Sequence, residues 1–477
     1  MHNSLRSAST WTVLLAALAC SACLQAENEL EQPVTELPPM PPTGPCDVAP
    51  EQDLTLELPI WDLQVSQASW DKLHEDVLAD VEVPAAVCVQ GKSYGIELEL
   101  QGSSTRKLAK KSFDVKWKRS NPLQIWPYDD APPSEPVPIR KLFLKAMAKD
   151  QSLVREALGF DLYRALGYAT PHTGFANLRI NGAYWGLYAV IEPVNEAYLA
   201  ARDYPEGGRL YKAVRKHGSR ADFAPGRDLT RAFETELTVR QIMDDADRDS
   251  DEDVEVDEAE ADETDAVQPK TMPDAAPQDA APAHADLPNE YAELEEFVNV
   301  LQSAPLEPGS FEAQIDPIFS LEAYFDRMLW VAFTQNGDAI AQNFFLYHAG
   351  PLGSDHWYQI PWDSDISFGA DYRDVDNVID TADAPLVDGG NFFSKRMLKI
   401  ASLRARYAER FRHVLNEQRL EAEAFARLSA YRARLSNDLT HDQTRWKRHT
   451  ESATAFDRLE AFISQRGAVL QRALAAF

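Results

Sequence analysis

Residues 244–290 constrain most strongly what this chain of 477 residues can fold into, because they cannot contribute to a hydrophobic core. Residues 244–265 hold 14 acids and one arginine, and residues 265–290 have almost no large apolar side chains. Such a composition buries too little apolar surface to offset the conformational entropy that is lost on folding. We therefore predict a disordered acidic insert at 244–290 within one larger folded domain.

The charge of the chain limits its partners. The formal net charge is −29, and residues 244–265 contribute −13 of it, so the remainder of the chain is acidic as well. Proteins that bind nucleic acid need a basic surface to contact the phosphates. The sequence therefore argues against nucleic acid as a partner.

Part of the insert has the acid spacing of a calcium-binding loop. Residues 247–258 place acids at positions 1, 3, 5, 7, 9 and 12 of such a loop. Position 6 is Glu252, where the sharp turn of a calcium loop needs glycine, and no pair of flanking helices is predicted. A solvated acidic segment of low complexity is therefore the preferred interpretation.

Residues 1–23 have the features of an export signal. Arg6 precedes an apolar run, residues 11–23, that is too short to span a bilayer as a helix. The run ends in small residues and cysteine, as lipoprotein signals do, so the predicted lipidated residue is Cys20 or Cys23. A plain cleaved signal peptide is the alternative.

The segment after the signal, residues 24–53, is rich in proline and polar residues and is predicted to be a linker. The folded domain is predicted to span residues 54–477, including the insert. We expect an exported protein at a bacterial outer membrane or cell surface, with a lipid anchor as its only membrane contact.

Two cysteines remain outside the signal, Cys46 and Cys88. In an exported protein, one such pair is most simply a disulfide. A zinc site is not expected, because neither cysteine has a partner cysteine or histidine close by in the sequence.

Local patterns predict an α+β fold. Strands are indicated over residues 92–119 and 175–194, and Asn181-Gly182 is a strong signal for a hairpin turn. Residues 150–168 carry apolar side chains at helical spacing. Helical character returns at residues 291–303 and 320–335, and the region from Lys395 onward is rich in helical periodicity. A β-rich N-terminal part should therefore be followed by a mostly helical C-terminal part.

One lysine is expected to point inward from the second strand of residues 92–119. Lys111, Phe113 and Val115 share a face of this strand because side chains alternate with a period of two. The turn before the strand, Gly102-Ser103-Ser104, is a small-residue loop whose backbone N–H groups could lie over a phosphate. An ordinary hairpin is the structural alternative.

Four polar residues stand among the aromatic and aliphatic residues of 336–369: Asp338, Asn343, Asp363 and Asp365. Asp338 and Asn343 have the Asp-x-x-x-x-Asn spacing of a kinase catalytic loop. Asp363 follows a predicted strand, as the metal-binding aspartate of kinases does. In the structural alternative, Asp338 caps a helix or turn, while Asp363 and Asp365 are acids in structural salt bridges.

Six blocks of sequence resemble the spore-coat-protein-H (CotH) kinase family, which consists of atypical secretory kinases. The blocks read GSSTRKLAKKSFDVKWK, DQSLVREALGFDLYRALG, LRINGAYWGLYAVIEPVN, GRLYKA, NFFLYH and PWDSDISFG. The resemblance covers roughly residues 54–411 without the insert, and it implies a two-lobed fold like that of protein kinases. The sequence departs from the family in one loop, where residues 101–105 read Gln-Gly-Ser-Ser-Thr instead of the usual Arg-Gly-Asn-Ser-Thr.

The resemblance implies a role for each of the four polar residues. Asp338 would be the catalytic aspartate. Asn343 and Asp363 would hold Mg²⁺ or Mn²⁺, and Asp365 would support Asp363 or bind metal itself.

The resemblance also implies an ATP site. Lys111 would contact the phosphates, Gly102-Ser103-Ser104 would cover them, and Glu192 would border the adenine. The acid expected to pair with Lys111 is either Glu156 or Asp161.

Two classes of function follow from these features. The first is an exported kinase that transfers phosphate from ATP to Ser or Thr hydroxyls of surface or secreted proteins. The second is a non-catalytic, kinase-like surface lipoprotein used for binding or for coat or envelope assembly. The presence of Asp338, Asn343 and Asp363 favours the first class, and the altered loop leaves the second open.

Overall fold

The structure, a computed structural model, describes residues 37, 46, 54–134, 137–215, 218–236, 290–350, 355–370, 386–446 and 452–477. The predicted export signal, nearly all of the linker, and the predicted insert apart from Glu290 lie outside these residues. Within the described ranges, the helices are all too short or too polar to cross a bilayer.

Seven strands close into a barrel in the order β1-β2-β3-β4-β5-β7-β6. A parallel pairing of β6 with β1 completes the barrel, and the other neighbours are antiparallel. The predicted Asn181-Gly182 turn joins β6 to β7. The strands are β1 (Ile60–Gln64), β2 (Glu82–Val89), β3 (Lys92–Gln101), β4 (Ser112–Trp117), β5 (Lys141–Lys145), β6 (Thr173–Ile180) and β7 (Ala183–Ile191).

Alternating apolar side chains fill the barrel. Phe113, Val115 and Trp117 of β4 all belong to its buried core, as side chains on one face of a strand must. Trp70, which follows the helix cap Ser66, packs edge-on against another tryptophan in the same core. The barrel interior is therefore apolar and aromatic.

The remaining elements form a smaller sheet and a set of helices. The sheet has the strand order β11-β10-β8-β9. Its strands are β8 (Arg209–Ala213), β9 (Phe233–Glu236), β10 (Phe344–His348) and β11 (Trp357–Pro361). The helices are α1 (Gln67–Glu75), α2 (Arg155–Ala165), α3 (Glu196–Ala200), α4 (Leu229–Ala232), α5 (Ala292–Ser303), α6 (Ser310–Ile315), α7 (Leu321–Thr334), α8 (Phe392–Met397), α9 (Ala401–Asn416), α10 (Arg419–Trp446) and α11 (Ser452–Ala475).

Helix α10 packs directly on the barrel, against β7 and α2. Buried polar contacts reinforce this packing. Lys110 Nζ lies 2.6 Å from Asp442 Oδ1, and the Asn177 side-chain amide donates to Asp438 at 2.7 Å. The C-terminal helices are therefore part of the same folded body as the barrel.

The predicted α+β class is confirmed, with a β-rich N-terminal region and a helical C-terminal region. The closed seven-stranded barrel was not predicted. The two-lobed arrangement of protein kinases stays a prediction.

The predicted disulfide between Cys46 and Cys88 is present. It joins β2 to a residue 42 positions earlier in the chain. Cross-linking a loop of this length restricts the unfolded chain and stabilises the fold by about 4 kcal/mol in the chain-entropy model.

Candidate active site

Lys145 is the centre of a buried cluster of charges. It is the last residue of β5, and it lies on the outer face of the barrel because Leu142 and Leu144 occupy the interior. Lys145 Nζ lies 2.7 and 2.9 Å from the two carboxylate oxygens of Glu156. It also lies 2.9 Å from Oδ1 of Asp363. One ammonium group thus contacts a helix and a loop that are far apart in sequence.

Glu156 belongs to the first turn of α2, and Asp150 fixes the chain just before this helix. The Asp150 carboxylate accepts from the backbone N–H of Arg155 at 2.9 Å and from its guanidinium at 2.7 Å. Arg155 Nε in turn donates to the Ser367 carbonyl at 3.0 Å. The start of α2, and Glu156 with it, is therefore held against the loop that follows β11.

Asn343 and Asp363 lie close together because Asn343 directly precedes β10, Asp363 follows β11 by two residues, and the two strands are paired. Phe344, at the start of β10, pairs with Pro361, at the end of β11. The Asn343 amide donates to the Asp363 carbonyl at 3.2 Å. Both residues have left-handed backbones, with φ of 58° and 48°, a conformation that asparagine and aspartate adopt more readily than most residues.

Asp338 lies in a short 3₁₀ helix, Asp338–Ile340, that follows α7. The side chain of Asn336 connects this turn to the loop after β11. Its oxygen accepts from the Ala339 N–H at 3.1 Å, and its nitrogen donates to Ser364 Oγ at 3.1 Å. The structure thereby brings the predicted catalytic aspartate to the same region as Asp363.

The pKa values reflect this concentration of charge. Burial opposes the charge of Lys145, but Asp363 and Glu156 outweigh this effect and raise the pKa of Lys145. Burial raises the pKa of Glu156 to about 7, although Lys145 acts in the opposite direction. Burial and the negative charge of Asp363 raise the pKa of Asp365 well above its ordinary value, and the same two causes raise that of Asp338. The carboxyl groups thus outnumber the one ammonium that neutralises them.

A divalent cation would reduce this excess of negative charge. Asp363, Asp365 and Asn343 supply the hard oxygen ligands that Mg²⁺ prefers. In the described part of the chain, no group of three or more His, Cys, Asp or Glu residues is spaced to hold a metal ion alone. Protein sites usually bind Mg²⁺ through one or two carboxylates together with substrate phosphates, and a metal at these residues stays a prediction.

Lys111 is buried, as the strand pattern predicted, but it is not the lysine that pairs with Glu156. It lies one residue before β4. Its ammonium donates to the Arg106 carbonyl at 2.5 Å, and burial lowers its pKa. The predicted pairing of Lys111 with an acid of the helix is wrong, because Lys145 makes this ion pair with Glu156.

Asp161, the second acid that the sequence offered as a partner for a strand lysine, has other partners. It accepts from Arg164 at 2.8 Å and from the Tyr431 hydroxyl at 2.6 Å. Neither of the two acids pairs with Lys111, and Glu156 pairs with Lys145 instead.

A sequence signal for Lys145 exists. Residues 141–145 alternate Lys141, Phe143 and Lys145 with two leucines, which is the pattern of a half-buried strand. This strand precedes the helix that carries Glu156. A lysine at the end of such a strand was the better candidate to pair with an acid in the next helix.

The predicted phosphate-covering loop is exposed, and its end at Ser112 lies beside the end of β5. Gly102, Ser103 and Ser104 are all exposed. Gly102 has φ of 105°, and a Cβ at this position would lie 2.4 Å from Thr105 Oγ1, so the turn requires glycine. At the other end of the loop, the Ser112 hydroxyl accepts from the N–H of the residue after Lys145 at 2.9 Å. The loop could therefore reach a phosphate bound at Lys145.

Glu192 directly follows β7. Its carboxylate pairs with Arg202 at 2.6 Å and accepts from the His172 N–H at 2.9 Å. These contacts fix the chain at the end of the barrel. A role for Glu192 beside adenine stays a prediction.

We predict that Gly159→Ala destabilises the protein although it lies within helix α2. A Cβ at Gly159 would lie 2.6 Å from Ser364 Oγ and 3.1 Å from Ser364 Cβ. Alanine in a helix is ordinarily more stable than glycine by about 1 kcal/mol. Here overpacking should instead lower the free energy of unfolding by about 1–3 kcal/mol, as measured by urea denaturation. Gly467→Ala in α11, where the nearest atom is 3.4 Å away, is the matched control. Equal stabilisation by both substitutions would contradict the close approach of α2 to the loop after β11.

A strand lysine paired with a helix acid, beside a metal-binding aspartate, is the nucleotide-site arrangement of protein kinases. The comparisons with known proteins agree with this class. The family model described as "CotH kinase protein" matches residues 98–470, so the chain belongs to the CotH kinase family, as its motifs predicted. The chain is also similar to Inner spore coat protein H of Bacillus subtilis (strain 168), with 24% identity over 350 residues, covering 73% of this chain and 79% of that protein.

Proposed function

We propose that this protein transfers the γ-phosphoryl group of ATP to Ser or Thr hydroxyls of extracytoplasmic proteins. The observation that carries the proposal is the contact of Lys145 with both Glu156 and Asp363. In protein kinases, the lysine–glutamate pair and the metal-binding aspartate must both be in place for phosphoryl transfer. Membership of the CotH kinase family supports the same activity.

Each residue of the site has a proposed task. Lys145 binds the phosphates, and Glu156 holds the lysine in position. Asp338 accepts the proton of the substrate hydroxyl. A general base works best when its pKa approaches the working pH, so the raised pKa of Asp338 favours this task.

Asn343, Asp363 and Asp365 are the proposed ligands of Mg²⁺ or Mn²⁺. When bound, the metal neutralises the charge that develops on the phosphate oxygens. The raised pKa of Asp365 supports this assignment, because the negative charge of Asp363 contributes to it. A cation bound to both carboxyl groups would reduce their repulsion.

The second candidate function is a non-catalytic role in binding or in coat or envelope assembly. The altered sequence of the exposed loop at residues 101–105 favours it. So does the similarity to a protein named for the inner spore coat. For both candidates, we propose an exported protein anchored through a lipid on Cys20 or Cys23.

We expect the purified, oxidised protein to incorporate label from γ-labelled ATP into Ser or Thr residues when Mg²⁺ or Mn²⁺ is present. Calorimetry should show nucleotide binding that depends on the metal. Nucleotide binding without transfer to the protein or to an added substrate would favour the second candidate. Absence of both binding and transfer would contradict the kinase proposal.

A further inference from the structure

A cavity of about 650 Å³ lies on the outer face of the barrel, and its size is typical of sites for small molecules. None of its described lining residues belongs to the candidate active site. Its charged lining residues are Asp62 of β1, Arg179 of β6 and Glu57, which precedes β1, and the disulfide forms part of its edge. The stretch Leu58-Pro59-Ile60 provides an apolar side.

Arg179 is a buried charge in this cavity that interacts electrostatically with Asp62. Its side chain is only 5% exposed, its Nε has no hydrogen-bond partner, and it forms no ion pair within the described residues. Burying a guanidinium N–H without a hydrogen-bond partner is unfavourable. Within the described residues, the guanidinium therefore keeps a hydrogen-bond donor that an anionic ligand could satisfy.

Asp62 lies beside Arg179, and one of its two carboxylate oxygens can accept a further hydrogen bond. The two residues are partners in the parallel pairing of β1 with β6. Asp62 is 5% exposed, and its Oδ1 accepts from the Gly182 N–H at 3.0 Å. Its Oδ2 is buried without a hydrogen-bond partner. A ligand that binds Arg179 could therefore donate a hydrogen bond to Asp62.

We propose that this cavity binds a small apolar α-amino acid. The ligand carboxylate would pair with the Arg179 guanidinium, whose planar fork matches two carboxylate oxygens. The ligand ammonium would donate to Asp62, and the aliphatic side chain would contact Leu58 and Ile60. Inorganic phosphate fits less well, because it would place an anion beside Asp62 and leave the apolar side uncovered.

The test is calorimetric titration of the intact, oxidised protein with L-leucine and two analogues. 4-Methylpentanoate lacks the amine, and 3-methylbutylamine lacks the carboxylate. Each analogue should bind at least tenfold more weakly than leucine, because each leaves one buried charge unsatisfied. Equal binding of leucine and 4-methylpentanoate, tighter binding of inorganic phosphate, or no binding of leucine would overturn the proposal.

Variants separate a binding role from a structural one. Arg179→Gln and Asp62→Asn should each weaken leucine binding at least tenfold, whereas Arg231→Gln, at an exposed arginine, should not. Without ligand, Arg179→Gln should change the melting temperature little, because it removes a buried charge and also the attraction of that charge for Asp62. A lower melting temperature, together with unchanged leucine binding, would assign Arg179 a structural role and contradict the site.

Discussion

Lys145→Met should lower the rate of phosphate transfer by about 10²-fold or more, whereas Lys111→Met should leave the rate nearly unchanged. The Lys145 ammonium is the positive charge in contact with Glu156 and Asp363. The Lys111 ammonium is buried and donates to a backbone carbonyl. Methionine is an unbranched side chain of similar length, so the two substitutions are matched. Label incorporation from ATP measures the rate, and calorimetry measures nucleotide affinity.

Loss of folding could imitate loss of activity in Lys145→Met, because Glu156 would be buried without its counter-ion. Burial already raises the pKa of Glu156 to about 7, and removal of the Lys145 charge should raise it further. An acid whose pKa is higher in the folded state destabilises that state as the pH rises above its unfolded value. The stability penalty of Lys145→Met should therefore be larger at pH 8 than at pH 6.

A double variant, Lys145→Met with Glu156→Gln, removes both charges and should recover most of the lost stability. It should not recover phosphate transfer if Lys145 acts on the nucleotide. Full activity in the double variant would show that the pair is only structural. Loss of transfer in Lys111→Met, with normal transfer in Lys145→Met, would instead support Lys111 as the lysine that contacts the phosphates.

Asp363→Ala and Asp338→Ala should both lower phosphate transfer by about 10²-fold or more, but through different steps. Asp363 is the proposed metal ligand, so its loss should weaken metal-dependent nucleotide binding as well as turnover. Asp338 is the proposed base, so its loss should reduce turnover and leave nucleotide affinity close to that of the native protein. Calorimetry with and without Mg²⁺, combined with label incorporation, distinguishes the two patterns.

Asp71→Ala, at an exposed aspartate of α1, is the control for this pair and should change neither quantity. Normal turnover in Asp338→Ala would remove Asp338 from the proposed mechanism and leave the nucleotide site intact. Normal metal-dependent binding in Asp363→Ala would instead require another metal ligand, and Asp365 would be the next residue to test.

Several features could be predicted from the sequence because neighbouring residues determine them. The Asn181-Gly182 turn and the Ser66 cap depend on the conformations that these residues adopt locally. The spacing of Asp338 and Asn343 placed both residues in one short segment of the chain. The prediction of the Cys46–Cys88 pair followed from an export signal and the absence of other cysteines outside that signal.

The tertiary structure alone decided which lysine joins the candidate site. The alternation of side chains along a strand shows that the strand has two faces. It does not show which face packs in the core and which face lies at a functional site. That depends on closure of the barrel by β1 and β6, which pair strands from distant parts of the chain. Once the barrel closes, Leu142 and Leu144 face its interior and Lys145 its outside, whereas Lys111 lies before β4 with its ammonium at a backbone carbonyl. The contact of Lys145 with Asp363 spans 218 residues, and no local pattern encodes a contact over that separation, because it arises only when β5, α2 and the loop after β11 pack together.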